Sequence, residues 1–254
     1  MKRFRIFAII VPLSLAGVAP AAAERLVTSL STHQVLIGSN FTGTELVLFG
    51  SVERDAATVT RRGGYDIVVA VIGPREGMVA RRKDRMLGIW TNVESFTFNR
   101  APAYLAVLSN RPLNVIASPD ALRRLEIGLD NFPLAQAGGS QPPAGFRDAL
   151  IRLRKERGFY REETSAVTFL TPNLFRASIA IPAESELGAY EVDVKLFADG
   201  ANIARTSSAL EIVKVGIEQF VANASREHAL LYGLATVLMA LMTGWFASII
   251  FRRD

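Results

Sequence analysis

The chain has 254 residues, half of them hydrophobic, no cysteine, and 29 Lys+Arg against 24 Asp+Glu. With no cysteine there is neither a disulfide framework nor a thiolate zinc site, so a hydrophobic core must hold the chain together. Three of the bases lie in residues 1–23 with no acid, and two bases with one acid lie in residues 252–254. That leaves 24 bases and 23 acids between Glu24 and Phe251, a balance that gives no support to nucleic acid as a partner.

The first residues are organised as a secretory signal peptide. Lys2, Arg3 and Arg5 form a basic start, Ile6 to Val18 an apolar stretch broken by Pro12, and Ala21-Ala22-Ala23 a small-residue cleavage site before Glu24. The other end, Ala229 to Phe251, is 23 uncharged and mostly apolar residues. At about 1.5 Å per residue it forms a helix of roughly 34 Å, enough to cross a bilayer with some tilt. Arg252 and Arg253 follow at once, and the positive-inside bias assigns residues 252–254 to the cytoplasm. The expected layout is a bacterial inner-membrane protein with a periplasmic ectodomain and a single C-terminal span. Residues 216–228 form the juxtamembrane segment.

Between these ends the pattern is that of strands. Val35-Leu36-Ile37 predicts a short leading strand, and Gly38-Ser39-Asn40 a turn. Thr44–Glu53 and Tyr65–Ile72 are apolar, β-branched runs on either side of a turn containing Gly63-Gly64. Further strands are predicted at Gly77–Arg82, Leu87–Thr91, Val93–Asn99 and Ala103–Ser109. The basic run Arg81-Arg82-Lys83-Asp84-Arg85 falls where a hairpin connection or an exposed edge would tolerate it. Ser118-Pro119-Asp120 carries the serine cap and early proline of a helix start.

The stretch 135–145 has loop composition, and after it Phe146, Ala149, Leu150, Leu153 and Tyr160 recur at roughly helical spacing. That predicts an amphipathic helix over about 143–157, with Arg147, Arg152, Arg154, Lys155, Arg157 and Arg161 as a solvated face. Phe175, Ala177, Ile179 and Ile181 then alternate with smaller or charged residues. Tyr190, Val192, Val194 and Leu196 do so again, which predicts Glu191, Asp193 and Lys195 in water. Asp199-Gly200 is a hairpin turn into a returning strand, Asn202–Val215.

The expected fold is mainly β: an immunoglobulin-like antiparallel β-sandwich of one or two units, with an amphipathic helix and one C-terminal transmembrane helix. Its parts would be an N-terminal β-rich unit over 24–112, a partly helical connection over 113–164 and a C-terminal β unit over 165–215. The tyrosine of LGAYEVDV is compatible with a corner contact in such folds.

Motifs for catalysis are missing from the sequence: there is no GxSxG, no HExxH and no phosphate loop ending in Lys-Ser/Thr. The two histidines are His33, in a polar stretch before a strand, and His228 at the membrane boundary. His33 reads as a structural or surface residue. No catalytic, metal or cofactor residue is assigned.

The runs LVTSLSTHQVLIGSNFTGTELVLFGSVE, YDIVVAVIGP and LGIWTNVESFTFNRAPAYLAVLSNRPL resemble a family of alphaproteobacterial transmembrane proteins without an established activity. The likeness covers nearly all of the mature chain, including the final span. It implies the single-span topology and, because members are often encoded beside a permease of the sulfite-exporter type, an association with transport. It implies no catalytic residue.

In the span, Thr236, Ala240, Gly244 and Ser248 recur every four residues with Gly233 beside them, a face that lets another helix approach closely. The leading expectation is therefore a membrane-anchored accessory or interaction protein, whose partner is a membrane protein such as a permease, or a second copy of the chain. The alternatives are a periplasmic module for a small anion, with Arg81, Arg82 and Arg100 as contacts, and an enzyme built on carboxylates. The basic clusters could also meet anionic lipid headgroups.

Overall fold

Alternating apolar side chains can be buried only if strands pair and one face is covered, and the chain does this twice. The computed structural model describes residues 24–53, 64–134, 142, 143, 145–216, 221 and 225–250. The expected signal peptide, Gly63, most of the 135–145 loop and residues 251–254 lie outside these.

One sheet has the order β1 (Arg25–Leu30), β3 (Thr44–Glu53), β10 (Leu174–Ile181), β9 (Val167–Phe169), every pair antiparallel. The second has the order β2 (Gln34–Ile37), β12 (Ala201–Lys214), β11 (Gly188–Ala198), β4 (Asp66–Ile72), β7 (Leu105–Ser109), β8 (Tyr160–Thr164). Here β2 runs parallel to β12 and β8 parallel to β7, two departures from an all-antiparallel arrangement. Sheet pairings β1-β3-β10-β9 and β4-β11-β12 follow the order of strands A-B-E-D and C-F-G in an immunoglobulin-type sandwich. The likeness is one of strand order.

Strands from both halves of the chain take part in each sheet, and one cluster of buried side chains extends from Leu26 to Ile212. Phe175, Ala177, Ile179 and Ile181 point inward from β10, and Tyr190, Val192, Val194 and Leu196 from β11, all at most 2% exposed. Hydroxyls tie the layers where rings meet: Tyr104 Oη donates to the Ala180 carbonyl at 2.6 Å, and Tyr160 Oη to that of Pro102 at 2.9 Å. Tyr190 Oη donates to the Glu186 carbonyl, 2.8 Å away and four residues upstream, the contact of a corner tyrosine.

The connection from β7 to the parallel β8 must cross a sheet face. It contains α1 (Leu113–Ile116), α2 (Pro119–Arg124) and α3 (Phe146–Glu156). Ser118 caps α2, its Oγ accepting from Ala121 N at 3.3 Å. Leu122, Ile127, Leu129, Phe132, Phe146, Leu150 and Ile151 supply the apolar side of this layer. Because it lies over the second sheet, β4, β7 and β11 are covered on both faces.

On β11, Glu191 is exposed as expected, but the expectation for its next two charges is corrected. Asp193 and Lys195 are 2% and 8% exposed, not in water; they bond to each other, and Arg205 Nε reaches Asp193 Oδ1 at 2.6 Å. On α3, Arg152, Lys155 and Arg157 are exposed as expected of a solvated face, but Arg147 and Arg154 are not. Arg147 donates to the carbonyls of Leu129, Asp130 and Phe132. Arg154 lies over the Phe159 ring at 4.5 Å, donates to the Ala103 carbonyl and faces Glu76 at 3.6 Å. Arg154 thus ties α3 to the approach of β7, and Arg147 ties it to the loop that follows α2.

The strands expected at Gly77–Arg82, Leu87–Thr91 and Val93–Asn99 are parts of one long two-stranded ribbon. It is formed by β5 (Arg75–Met86) and β6 (Ile89–Pro102), joined at Leu87-Gly88. The last helix, Ala229–Ile250, has no buried residue.

Two outcomes test this packing. The Phe175 ring lies over Gly50, where an added Cβ would stand 2.2 Å from Cζ. Gly50→Ala should lower unfolding stability by about 2 kcal/mol in a urea titration, through overpacking. Burial pushes Tyr160 and Tyr190 up to about 12, and Tyr104 further up, from an ordinary value of 10.0. Below pH 10 these phenols are neutral whether the chain is folded or not; above it only the unfolded chain ionises them freely. Stability should thus fall as pH rises from 10 towards 12, with tyrosinate absorbance appearing together with loss of near-ultraviolet circular dichroism.

Candidate interaction surface

A β-ribbon is held by its base or not at all, since two strands alone are marginal in water. In β5–β6 the base packs on the body: Ala80 and Phe98 are buried, and the Phe96 ring meets Phe146 of α3 at 6.1 Å. Beyond Ala80 the support stops, and residues 81–90 are all exposed. The cross-strand register continues to the end, with Arg85 opposite Trp90 and Met86 opposite Ile89. Met86, Ile89 and Trp90 are 58%, 69% and 68% exposed, and Leu87 is fully so.

The turn itself is chemically odd. Leu87 and Gly88 both have positive φ, 50° and 86°, as a type I′ hairpin turn demands. Asn-Gly or Asp-Gly usually meets that demand, and a leucine in the left-handed region is under strain. The same chain uses the expected chemistry elsewhere: Asp199-Gly200, joining β11 to β12, has φ 50° and 82°. Arg85 steadies the apex by donating from Nε to the Gly88 carbonyl at 3.2 Å, and its own amide donates to Asp84 Oδ1 at 2.7 Å.

Behind the tip lies a basic collar. Arg81, Arg82 and Lys83 border a cleft of about 320 Å³ whose other wall is α3, with Phe146, Ala149, Arg152 and Leu153. Leu153, expected in the core, is 45% exposed because it borders this cleft rather than the sheet. Arg82 pairs with Glu94 at 3.4 Å and Arg152 with Glu156 at 3.2 Å. The structure thus brings Arg81 and Arg82 together; Arg100, on β6 nearer the base, is not on the cleft. The tip was missed in the sequence, although MLGIW directly after RRKDR is an apolar cluster around a glycine.

The other candidates are placed as follows. His33 is exposed, and its carbonyl accepts from Glu211 N at 2.9 Å, docking β2 beside β12. No group of His, Asp and Glu side chains is arranged to hold a metal among the described residues. Asp66 and Asp193, both buried, are each matched to a cation: Arg111 with Asn110 for the first, Lys195 and Arg205 for the second. Hydrogen bonds to these carboxylates push the pKa of Arg111 and Arg205 up. In the terminal helix, added Cβ atoms at Gly233 and Gly244 would meet nothing within 4 Å. Thr236 Oγ1 is turned back to the Gly233 carbonyl at 2.8 Å, so with Ala240 and Ser248 this side stays small.

A family profile described as "Putative transmembrane protein (Alph_Pro_TM)" matches residues 25–253. No curated protein matches the sequence. Two solved structures align at low similarity. One is Spo0M, a sporulation control protein from Bacillus subtilis, at 10% identity and TM-score 0.27, covering 81% of this chain and 56% of that one. The other is AggA, the major subunit of aggregative adherence fimbriae type I from Escherichia coli, at 7% identity and TM-score 0.26, covering 76% and 98%. The chain thus spans about half the length of the Spo0M chain.

The buried charges give a direct test of how the second sheet face is held. Asp193→Ala should cost about 3 kcal/mol, because it strands the Lys195 ammonium in the core. Asp193→Leu combined with Lys195→Met removes both charges and should cost much less. Chemical denaturation of the three proteins compares them.

Proposed function

The chain belongs to the Alph_Pro_TM family of transmembrane proteins, and on that premise we propose that it is a single-pass accessory protein whose work is contact with another membrane protein. The observation that supports this is the distribution of uncovered apolar surface. The body buries its large side chains between sheets and helical layer, and Val27, Phe49 and Leu174, neighbours on the outer face of the four-stranded sheet, are each less than half exposed. The most fully exposed apolar side chains are concentrated in the terminal helix and the ribbon tip. Exposed apolar surface of that extent marks interaction sites.

In this reading the first 23 residues direct export, the ectodomain stands in the periplasm of the bacterial inner membrane, and Arg252 and Arg253 remain in the cytoplasm. The side of the terminal helix that includes Gly233, Thr236, Ala240, Gly244 and Ser248 packs against a helix of the partner, a polytopic protein such as a permease. Close van der Waals contact between small residues drives such pairing in lipid, where the hydrophobic effect between helices is absent.

The test is to crosslink the full chain in its native membrane, purify it gently and identify what accompanies it. A polytopic membrane protein should be recovered, and Gly244→Leu should reduce its yield roughly tenfold by keeping the helices apart. Recovery of the chain alone, equally from both proteins, would sink the reading.

A further inference from the structure

We propose that the tip of the β5–β6 ribbon inserts into the interface of an anionic bilayer, giving the ectodomain a second point of attachment to the membrane. This goes beyond the accessory reading and does not depend on which protein the terminal helix meets.

Three observations converge on the tip. First, Met86, Leu87, Ile89 and Trp90 are exposed together at the end of a ribbon whose outer part has no neighbour beneath it. A tryptophan with an adjacent aliphatic pair is the residue set favoured at the boundary between headgroups and acyl chains. Second, the charges are ordered along the ribbon. Arg81, Arg82, Lys83 and Arg85 precede the apolar apex, against Asp84 and Glu94. Strand residues advance about 3.4 Å each, so the cations occupy a band roughly 15 Å deep behind the apex. That band would lie at and above headgroup level when the apex is in the acyl boundary. Each Lys or Arg near an anionic surface adds to the attraction.

Third, Leu87 contradicts its own turn. The backbone there, at φ 50°, suits asparagine or glycine, and the leucine side chain contacts nothing that would compensate. A bilayer supplies that compensation. The occupant is a lipid surface rather than a small anion because the apolar apex lies beyond the cations, where a small ion would leave it in water. A bilayer is also always at hand, since the same chain ends in a membrane-spanning helix.

The test uses the full chain with Trp245→Phe, which leaves Trp90 as the sole tryptophan of two. It is reconstituted into phosphatidylcholine vesicles with and without about one-third phosphatidylglycerol, a proportion that gives the surface a negative potential. Lipids brominated on the acyl chain should quench Trp90 in the anionic vesicles, its emission should shift to the blue, and aqueous acrylamide should lose access. Replacing Arg81, Arg82, Lys83 and Arg85 with glutamine, or omitting the anionic lipid, should reduce the inserted population roughly tenfold.

Leu87→Asn guards against misfolding as an explanation. Asparagine suits the left-handed turn, so thermal unfolding should be unchanged or raised while quenching is lost. Trp90 open to acrylamide and untouched by brominated lipid in both vesicles would overturn the proposal. So would Trp90 shielded from both quenchers, which would point to a protein on the ribbon, a second copy included. Quenching that ignores both anionic lipid and the glutamine substitutions would overturn the role of the basic collar. A partner recovered from native membranes with no lipid contact at Trp90 would leave the accessory reading standing and remove this one.

Discussion

The structure depends on a single requirement: the centre of the six-stranded sheet must be dry on both faces. β11, β4 and β7 are adjacent, and from Val192 to Ala198, Asp66 to Val69 and Leu105 to Ser109 their side chains are buried in both directions. The four-stranded sheet covers one face, and the chain between β7 and β8, with the base of the β5–β6 ribbon against it, covers the other. This explains why that connection is long and partly helical, and why Arg147 and Arg154 are turned inward. Arg147 binds three carbonyls of the preceding loop, and Arg154 lies over Phe159 with a hydrogen bond to β7's approach. A guanidinium can do this because its planar fork meets carbonyls along its edge and rings across its face.

The same requirement explains the charges inside β11. A polar residue brought under a helical layer must either be replaced or be paired, and here Asp193 is paired on both sides, by Lys195 and Arg205. Such an arrangement contributes little net stability compared with apolar residues, but a strand slipped by one position would turn the Asp193–Lys195 pair away from Arg205 on β12.

Much of this could be read in the residues, and the failures have physical causes. The bounds of β3 agree with the run TELVLFGSVE, where alternation is clean and β-branched residues are dense. β10 and the turn at Asp199-Gly200 were equally open to reading. β11 was misjudged because charges at every second position look the same whether they face water or a matched set of opposite charges. The ribbon was divided into pieces because Leu-Gly is a poor hairpin signature: the turn at Leu87 breaks the local rule on which recognition relies. The candidate surface was half legible for the same reason. Arg81 and Arg82 stood out as a basic run, but the exposure of Trp90 is a property of the ribbon's reach beyond the body, which no local pattern encodes.

The parallel pairing of β2 with β12 has a mechanical side. β12 is the last strand before the membrane helix, and at its end Lys214 is opposite Ile37. It is flanked along its length by β11 and at its exit by β2. Any tension transmitted from the anchor enters the body along this strand. Because β12 lies between two neighbours, a pull along its axis loads their hydrogen bonds together in shear, instead of opening them one after another from a frayed end. The four residues of β2, Gln34–Ile37, thus brace the C-terminal end of β12. A load on the membrane helix would be shared across the sheet before any strand could peel away.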